Sequence, residues 1–315
     1  MNAVKRTPSL LERAAEVYDF SEALRARAPV PAAPPAPLPI APEPGSDLSH
    51  IPAEFLAGDD AAEFVPPPLP EGITPIDRGM LAEHGMIVPG APVGPLAEEF
   101  RLVKRQLLVT RRRIVERGDA DKARTVLVCS ARPRDGKTFS AVNLALSMAA
   151  ERDTEVLLVD ADVAKPDVLR RLGMPDIGRG LLDALADASV DVETLVVRTD
   201  VPGLSILPAG AKSASDTELL ASERTEAVIA RLLAAEPRRL IIFDSPPALA
   251  ASPAGVLAML VGQVMLVVRA DKTPENEVAE AAELLDGCDH IQLVLNGATF
   301  VPNAHRFGSY YGMED

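Results

Sequence analysis

The sequence predicts an α/β fold in which a doubly wound, mostly parallel sheet carries helices on both faces. Three observations lead to this prediction. Short apolar runs alternate along the chain with stretches of helical periodicity. Most of these runs are continuously apolar, as expected for strands that are covered on both sides. Two of the runs end in aspartates, and parallel strands would bring such strand ends to one edge of the sheet.

The amino-terminal part of the chain differs in composition from the rest. Of the 29 prolines, 17 lie between Pro29 and Pro95, a density that helices and sheet ladders do not tolerate for long. Residues 1–28 include a predicted short helix with one mostly apolar face, which is either a fraying terminal helix or a docking segment. The predicted organisation is a docking segment over 1–28, a flexible Pro-rich linker over 29–95, a folded domain over 96–300 and a flexible tail over 301–315.

Charge and cysteine content exclude some classes of function. The net charge of −14 argues against nucleic acid as the main partner, because phosphate contacts require a basic surface. The local basic run at Arg111-Arg112-Arg113 is interpreted as a solvated helix face or as a phosphate-neutralising patch at a protein interface, in preference to DNA binding. Cys129 and Cys288 are expected to be reduced and buried, as in a cytoplasmic protein. The uncharged stretch 248–268 contains Pro253 and is interpreted as a buried helix followed by a core strand, and not as a membrane span.

The remaining elements follow from periodicity. Predicted strands are Thr125–Cys129, Glu155–Asp160, Leu204–Leu207, Leu240–Asp244, Val264–Val268 and Gln292–Leu295. Predicted helices are Leu96–Val115, Phe139–Ala150, Thr217–Ala235 and Glu275–Leu285.

Residues 131–138 read Ala-Arg-Pro-Arg-Asp-Gly-Lys-Thr and lie between the first core strand and a helix. That context is the one a phosphate-binding P-loop requires, since the loop amides and the helix N-terminus converge on phosphate oxygens. Lys137 is expected to reach the β- and γ-phosphates of ATP, and the Thr138 hydroxyl to bind Mg²⁺. The predicted ATP-binding residues are Arg132, Pro133, Arg134, Asp135, Gly136, Lys137, Thr138 and Phe139. Ala131 occupies the first position, where glycine is usual.

Carboxylates end two of the apolar strands. Asp160 and Asp162 follow one strand, and Asp244 ends another. A single aspartate at a strand end is often only a helix cap. Three of them in register with Gly-Lys-Thr indicate a Mg²⁺-nucleotide site, because Mg²⁺ prefers few carboxylates together with phosphate oxygens.

Two of the three tyrosines, Tyr310 and Tyr311, lie within the last six residues, flanked by glycines. Terminal segments of small and polar residues are usually mobile. A mobile tyrosine-bearing tail in a protein with a Mg²⁺-ATP site suggests a phosphoacceptor.

The chain resembles the bacterial tyrosine autokinases of exopolysaccharide synthesis and export, which belong to the superfamily of the partitioning and septum-positioning ATPases. It looks closest to their exosortase-associated branch. The resemblance covers residues from about Leu96 onward. It rests on the Pro-x-x-Gly-Lys-Thr loop, the two acidic strand ends and the tyrosine tail. It also rests on Glu98-x-x-Arg101-x-x-Lys104, which is similar to that family's Glu-x-x-Arg-x-x-Arg self-association helix.

The resemblance implies a protein-tyrosine kinase that phosphorylates C-terminal tyrosines of a neighbouring subunit and so regulates polysaccharide polymerisation and export. Lys137, Asp160, Asp162 and Asp244 would be the catalytic residues, with Asp160 accepting the tyrosine proton. Thr138, Asp162 and Asp244 would hold Mg²⁺. The implied partners are further copies in a ring, a chain-length-determining protein of the inner membrane that activates the kinase, and a cognate tyrosine phosphatase. The kinase would then be cytoplasmic and peripheral to the membrane through that partner.

Two departures from the family pattern bear on this interpretation. Ala164 stands where relatives often carry arginine, with Lys165 next, and Lys104 replaces an arginine, which removes bidentate pairing. Two other functions stay open at the level of the sequence. One is a partitioning-type ATPase switch, whose signature lysine would fall at Arg132. The other is a nucleotide-binding adaptor of a membrane protein, which the intact catalytic residues disfavour.

Overall fold

The computed structural model describes residues 70–211 and 216–298. Within them lies one eight-stranded sheet with the spatial order β1-β4-β5-β3-β6-β2-β7-β8. The strands are β1 (Ile73–Thr74), β2 (Thr125–Ser130), β3 (Glu155–Asp160), β4 (Val197–Thr199), β5 (Leu204–Leu207), β6 (Arg239–Asp244), β7 (Gln263–Arg269) and β8 (Ile291–Asn296). All neighbouring pairs are parallel except β4 and β5, which are antiparallel. The predicted α/β class with a mostly parallel sheet is therefore confirmed.

Helices cover both faces of this sheet. They are α1 (Arg78–Glu83), α2 (Pro95–Glu116), α3 (Lys137–Ala149), α4 (Val168–Arg171), α5 (Leu181–Ala186), α6 (Asp216–Leu220), α7 (Glu223–Ala235), α8 (Pro253–Leu260) and α9 (Glu275–Leu284). Helices α1, α2 and α3 contribute to one hydrophobic core, and α5, α7, α8 and α9 contribute to a second one.

The two cores explain why the strands are continuously apolar. Successive side chains of a strand point to opposite faces. In β2, Val126 and Val128 pack into the core with α2 and α3, while Leu127 and Cys129 pack into the other core. All four residues are fully buried. Cys129 and Cys288 are both buried and free, as predicted.

Two predicted segments differ from the structure in detail. The helix predicted over 217–235 is interrupted, because Ser222 has an extended backbone (φ −81°, ψ 156°) and its hydroxyl donates to the carbonyl of Leu219. The uncharged stretch that begins at Ala248 becomes helical only at Pro253, which occupies the first turn of α8, where its missing N–H costs nothing.

The predicted linker requires a larger correction. Residues 70–94 fall in the segment predicted as flexible, yet they contain β1 and α1 and contribute Ile76, Leu81 and Met86 to the core. Asp77 caps α1 through a 3.0 Å hydrogen bond from the amide of Met80. The high proline content of the segment 29–95 led to the prediction of a flexible linker, although its last part contains a short apolar pattern that can be buried. The predicted docking segment, most of the linker and the tyrosine tail lie outside the described residues.

A membrane crossing needs about 20 consecutive apolar helical residues. Across 70–211 and 216–298, no helix reaches the length and apolarity that such a crossing requires.

Because Leu81 is fully buried, Leu81→Ala should remove packing that the Pro-rich composition did not predict. We expect the free energy of unfolding to fall by about 3 kcal/mol, as is typical for a cavity left by leucine. Urea denaturation followed by circular dichroism would measure it. Leu102→Ala is the matched control, since Leu102 is 54% exposed and should change stability by less than about 1 kcal/mol. Equal effects of the two substitutions would contradict the placement of α1 in the core.

Candidate functional site

Three neighbouring strands bring the predicted site residues to one edge of the sheet. In the order β3-β6-β2, Asp160 ends β3, Asp244 ends β6, and the 131–136 loop follows β2. Asp160 and Asp244 are directly paired in the register of β3 and β6, and Val128 pairs with Asp244. The carboxyl edge of a parallel sheet is where α/β proteins bind ligands. The strand order therefore places the loop and the acidic strand ends side by side.

The loop turns into helix α3 at Gly136. This residue adopts φ +104°, a left-handed conformation that favours glycine, and it caps the helix. A Cβ atom at this position would come within 1.9 Å of the Asn296 side-chain nitrogen. The left-handed conformation therefore favours glycine here, and an added Cβ atom would also displace the Asn296 side chain. Arg134 also has a positive φ, of 72°, which is uncommon for a residue with a side chain.

Contacts from distant elements brace the loop. The Asp135 carboxylate accepts a 2.9 Å hydrogen bond from the amide of Arg132 and a 3.1 Å bond from the Thr273 hydroxyl. The Asn296 side chain, at the end of β8, donates to the carbonyl of Asp135 at 2.8 Å. Sequence reasoning missed Thr273 and Asn296. The available signal was their position at the carboxyl ends of the last two strands, the same edge that carries the loop.

Lys137 lies in the centre of the acidic residues. Its ammonium is 2.6 Å from Asp162 Oδ2, 3.9 Å from Asp244 Oδ1 and 3.3 Å from the Thr138 hydroxyl. The Lys137 side chain is only 11% exposed, and those of Asp162 and Asp244 are 6% and 0% exposed. Burial alone would lower the pKa of Lys137, but the carboxylates of Asp244 and Asp162 outweigh burial and raise it. The lysine is therefore held in its charged form.

The carboxyl groups of Asp160 and Asp244 have fewer partners that would stabilise their charged forms. Asp160 Oδ2 accepts hydrogen bonds of 3.0 Å from the amides of Asp167 and Val168, while its Oδ1 is buried and accepts none from the described residues. Neither oxygen of Asp244 accepts one either. Burial, with the nearby charge of Asp244, raises the pKa of Asp160 to about 8. Burial also raises the pKa of Asp244 to about 6, with Lys137 acting in the opposite direction.

The unpaired oxygens have the chemistry that a magnesium ion requires. Within the described residues, however, no group of three or more His, Cys, Asp or Glu side chains is placed to hold a metal by itself. A site of this kind suits Mg²⁺, which binds through one or two carboxylates and completes its shell with water and phosphate. The donor set therefore fits Mg²⁺ as a companion of a phosphate ligand.

The outer residues of the loop face solvent. Arg132, Pro133 and Arg134 are exposed. The guanidinium of Arg132 forms an ion pair with Glu277 on α9, a contact that the sequence did not predict. Phe139, predicted to border the nucleotide, lies one turn into α3 and is partly buried.

The predicted self-association residues lie on α2, away from the P-loop. Arg101 forms an ion pair with Glu98 one turn earlier. Lys104 is 2.6 Å from Glu151 and donates to the carbonyl of Ser147 at 3.0 Å, so its ammonium bonds within the chain. A groove of about 860 Å³ lies beside Arg101 and Lys104 and is lined by residues that precede β3 and β5. It is therefore at the amino edge of the sheet, opposite the site. Tyr310 and Tyr311 fall outside the described residues.

Comparison with known proteins places this geometry in a family. Residues 124–286, which contain the loop and all three aspartates, match the family model described as AAA domain.

Curated relatives agree with this match. The chain is 28% identical over 242 residues to the tyrosine-protein kinase YwqD of Bacillus subtilis, covering 76% of this chain and 96% of that protein. It is 30% identical over 146 residues to the tyrosine-protein kinase ptk of Acinetobacter johnsonii, covering 46% of this chain. In that second case the chain spans only 19% of the relative's length.

Among solved structures, the VpsO kinase domain is 30% identical, with a TM-score of 0.51 and coverage of 62% of this chain and 98% of that domain. The kinase domain of the Escherichia coli tyrosine kinase ETK, at 21% identity and a TM-score of 0.56, matches in fold over 73% of this chain and 92% of its own.

The uncompensated burial of Asp160 predicts a pH-dependent stability change. Between the ordinary pKa of 3.8 and about 8, the unfolded chain ionises at this residue while the folded carboxyl keeps its proton, so folding loses stability as pH rises through this window. Asp160→Asn removes that cost and keeps one oxygen for the amides of Asp167 and Val168. With EDTA at pH 8, we expect its unfolding temperature to exceed that of the wild type by about 5 °C. The gain should shrink toward pH 5.

Thermal unfolding across this pH range would measure the effect. Asp153→Asn is the matched control, because Asp153 is exposed and precedes β3 at the opposite edge of the sheet. An unfolding temperature for Asp160→Asn at pH 8 below that of the wild type would contradict this prediction. It would show that neighbouring groups stabilise the ionised form of Asp160.

Proposed function

The chain belongs to the bacterial tyrosine-protein kinases, a family of P-loop proteins with an AAA domain, and we propose on this basis that it transfers the γ-phosphoryl group of ATP to tyrosine side chains. Tyr310 and Tyr311 of a neighbouring copy are the proposed acceptors. One observation carries the proposal. The buried Lys137 lies at the start of the helix that follows the P-loop, among three carboxyl groups, and two of them, Asp160 and Asp244, keep oxygens without hydrogen bonds from the described residues.

The loop residues Arg132–Phe139 would hold the nucleotide. The first amides of α3 have no partners within the helix and carry a partial positive charge, which suits phosphate. Gly136 allows the backbone to approach closely, and Asp135, Thr273 and Asn296 fix the loop before any ligand arrives. Lys137 would exchange part of its contact with Asp162 for phosphate oxygens.

The residues proposed to hold Mg²⁺ are Thr138, Asp162 and Asp244. Asp244 suits this role because both of its oxygens are buried and without hydrogen bonds from the described residues. When bound, ATP would supply the phosphoryl group and Mg²⁺ would neutralise phosphate charge. The protein's own contribution is then positioning and charge, since phosphoryl transfer requires little covalent participation from side chains.

Asp160 is the proposed proton acceptor. Amides of Asp167 and Val168 anchor its Oδ2, which leaves Oδ1 available in a buried position. The tyrosine oxygen would form its bond to phosphorus as the bond from phosphorus to the β-phosphate oxygen breaks, releasing ADP. Because burial raises the pKa of Asp160 to about 8, its carboxyl group would first have to lose its own proton, a change that the positive charge of bound Mg²⁺ would favour. The tyrosine hydroxyl proton would then pass to Asp160 Oδ1 and from there to solvent. A general base must lie within hydrogen-bond reach of the proton it accepts, and the register of β3 beside β6 places Asp160 next to Asp244.

Assembly and partners form a second part of the proposal. We propose that Glu98, Arg101 and Lys104 take part in self-association. For Lys104, this requires that its pairing with Glu151 be exchanged for a contact with a neighbouring copy. The proposed setting is the cytoplasmic face of the inner membrane. There a chain-length-determining membrane protein would activate the kinase and a phosphatase would reverse its action, so that phosphorylation regulates exopolysaccharide export. The narrower assignment to the exosortase-associated branch stays a prediction.

The partitioning-type ATPase is less well supported. Its signature lysine would act at the position of Arg132, but the guanidinium there pairs with Glu277 of the same chain. The adaptor alternative also has no specific support, since Lys137 and the carboxylates keep an arrangement suited to phosphoryl transfer.

Replacement of Lys137 should abolish tail phosphorylation. We expect Lys137→Met to lower phosphotyrosine at Tyr310 and Tyr311 at least about a hundredfold, as for loss of a group that stabilises transition-state charge. Mass spectrometry of the tail from cells, and phosphotyrosine formation by purified protein with Mg²⁺-ATP, would measure it. The control is Lys122→Met, because Lys122 is exposed just before β2 at the opposite edge. Absence of phosphotyrosine in the wild type, even with the membrane partner's cytosolic segment added, would contradict the proposed function.

Loss of the Asn296 side chain should weaken nucleotide binding. Asn296→Ala removes the hydrogen bond to the Asp135 carbonyl, and a bond of this kind contributes about 1 kcal/mol, or roughly fivefold in affinity. We expect the Kd for ATP, measured by calorimetry, to rise by about that factor. Asn276→Ala is the control, since Asn276 is exposed on α9. Unchanged affinity would show that the brace is not needed to shape the loop.

A further inference from the structure

We propose that two exposed cations at the site, Arg134 and Lys165, form a cationic rim that recognises acidic residues following the acceptor tyrosine. The occupant is the tail of a second copy of this chain, through Glu314 and Asp315. This inference rests on the proposed function, because it specifies the class of tyrosine substrate that the same site accepts.

The exposed residues around the site are mainly basic, whereas the chain as a whole is acidic. The whole protein has a net charge of −14, yet the loops after β2 and β3 are rich in arginine and lysine. Among residues 131–136 and 161–179 the basic ones are Arg132, Arg134, Lys165, Arg170, Arg171 and Arg179. The aspartates of these segments are Asp135, Asp162, Asp167 and Asp176, and the first two are buried. The exposed surface at this part of the edge is therefore cationic.

Most of these basic groups already have partners. Arg132 pairs with Glu277, Arg170 and Arg171 pair with Asp167, and Arg179 lies 3.9 Å from Asp183. In contrast, Arg134 and Lys165 are exposed and form no ion pair within residues 70–211 and 216–298. In the loop after β7, Lys272 follows Asp271 directly and so adds no net charge.

The backbone of Lys165 is hydrogen-bonded to the site, and Arg134 lies within the P-loop itself. The amide of Lys165 donates to the carbonyl of Asp162 at 2.9 Å and to its carboxylate at 3.2 Å. Arg134 precedes the buried Asp135 in a left-handed conformation that residues with side chains adopt at a cost. The two cations are thus held beside the buried carboxylates without being neutralised by them.

The tail has the complementary pattern. Glu314 follows Tyr311 by three residues, which spans about 10 Å in extended chain. Lys165 likewise follows Asp162 by three residues. An acidic tail that approaches buried carboxylates and nucleotide phosphates meets repulsion, and exposed cations within about one Debye length, roughly 8 Å at physiological salt, would offset it. The rim therefore favours tyrosines with acidic residues on their carboxyl side.

The test uses as the kinase the full chain with Tyr310→Phe, Tyr311→Phe, Glu314→Gln and Asp315→Asn, so that its own tail neither accepts phosphate nor competes for the rim. Its substrates are a peptide with the sequence of residues 306–315 and the same peptide with Glu314→Gln and Asp315→Asn. We expect kcat/KM to be roughly fivefold higher for the acidic peptide, a factor that corresponds to one or two exposed ion pairs. This preference should decline as salt is raised.

A charge exchange makes the test specific. With Lys165→Glu, the acidic peptide should lose its advantage, and a peptide with Glu314→Lys and Asp315→Lys should become the better substrate, while the KM for ATP stays unchanged. Lys122→Glu is the matched control at the opposite edge and should keep the wild-type preference.

The outcomes separate this inference from the function on which it rests. Equal kcat/KM for the acidic and neutral peptides would overturn the rim while the kinase assignment stands. A Lys165→Glu enzyme with a raised KM for ATP and equal losses on all peptides would also overturn it, since the cation would then serve the nucleotide. Phosphorylation of neither peptide, nor of a full-length Lys137→Met chain offered as substrate, would overturn the proposed function and the rim together.

Discussion

The Lys137 ammonium is 2.6 Å from Asp162 and 3.9 Å from Asp244, in a position almost closed to water, and the arrangement of the carboxyl edge depends on this contact. Buried ion pairs seldom add net stability, because the desolvation of both partners offsets their attraction. Here one cation faces three carboxyl groups, and two of them keep oxygens without hydrogen bonds from the described residues. Such an arrangement is costly for folding alone, and it would become favourable if phosphate and a divalent cation shared the charges, as the proposed function requires.

Much of the fold could be predicted from local pattern. The central strands β2, β3, β6 and β7 are largely apolar and buried on both faces. The predicted ranges of these strands and of β5 and β8 agree with the structure to within one residue at each end. β1 and β4 were missed because they have only two and three residues at one side of the sheet, where pairing with neighbours decides the conformation. α1 was missed because the prediction relied on the proline density of the whole segment. The signals for this helix are local: Asp77 caps it, and Leu81 is buried in the core.

The candidate site also has parts that local sequence predicts and parts that it does not. Gly-Lys-Thr and the acidic strand ends are local signals, and the parallel sheet brings them together. The brace of the loop is not local, since Asn296 is 161 positions from Asp135 and Thr273 is 138 positions away. No spacing rule connects such residues, and only the strand order, with β8 next to β7 and β7 next to β2, makes them neighbours. The same reason hid the pairing of Arg132 with Glu277.

The contact between Asn296 and Asp135 has a mechanical consequence. Asn296 is the last residue of β8, and Tyr310 follows it by 14 residues along the chain. Its side chain lies against Gly136 of the loop, where an added Cβ atom would overlap the Asn296 amide. A displacement of Asn296 would therefore reach the P-loop through this amide group, in parallel with the contact that Thr273 makes from the loop after β7. The end of the last strand and the phosphate-binding loop are in this way mechanically linked, although they lie 161 positions apart in the sequence.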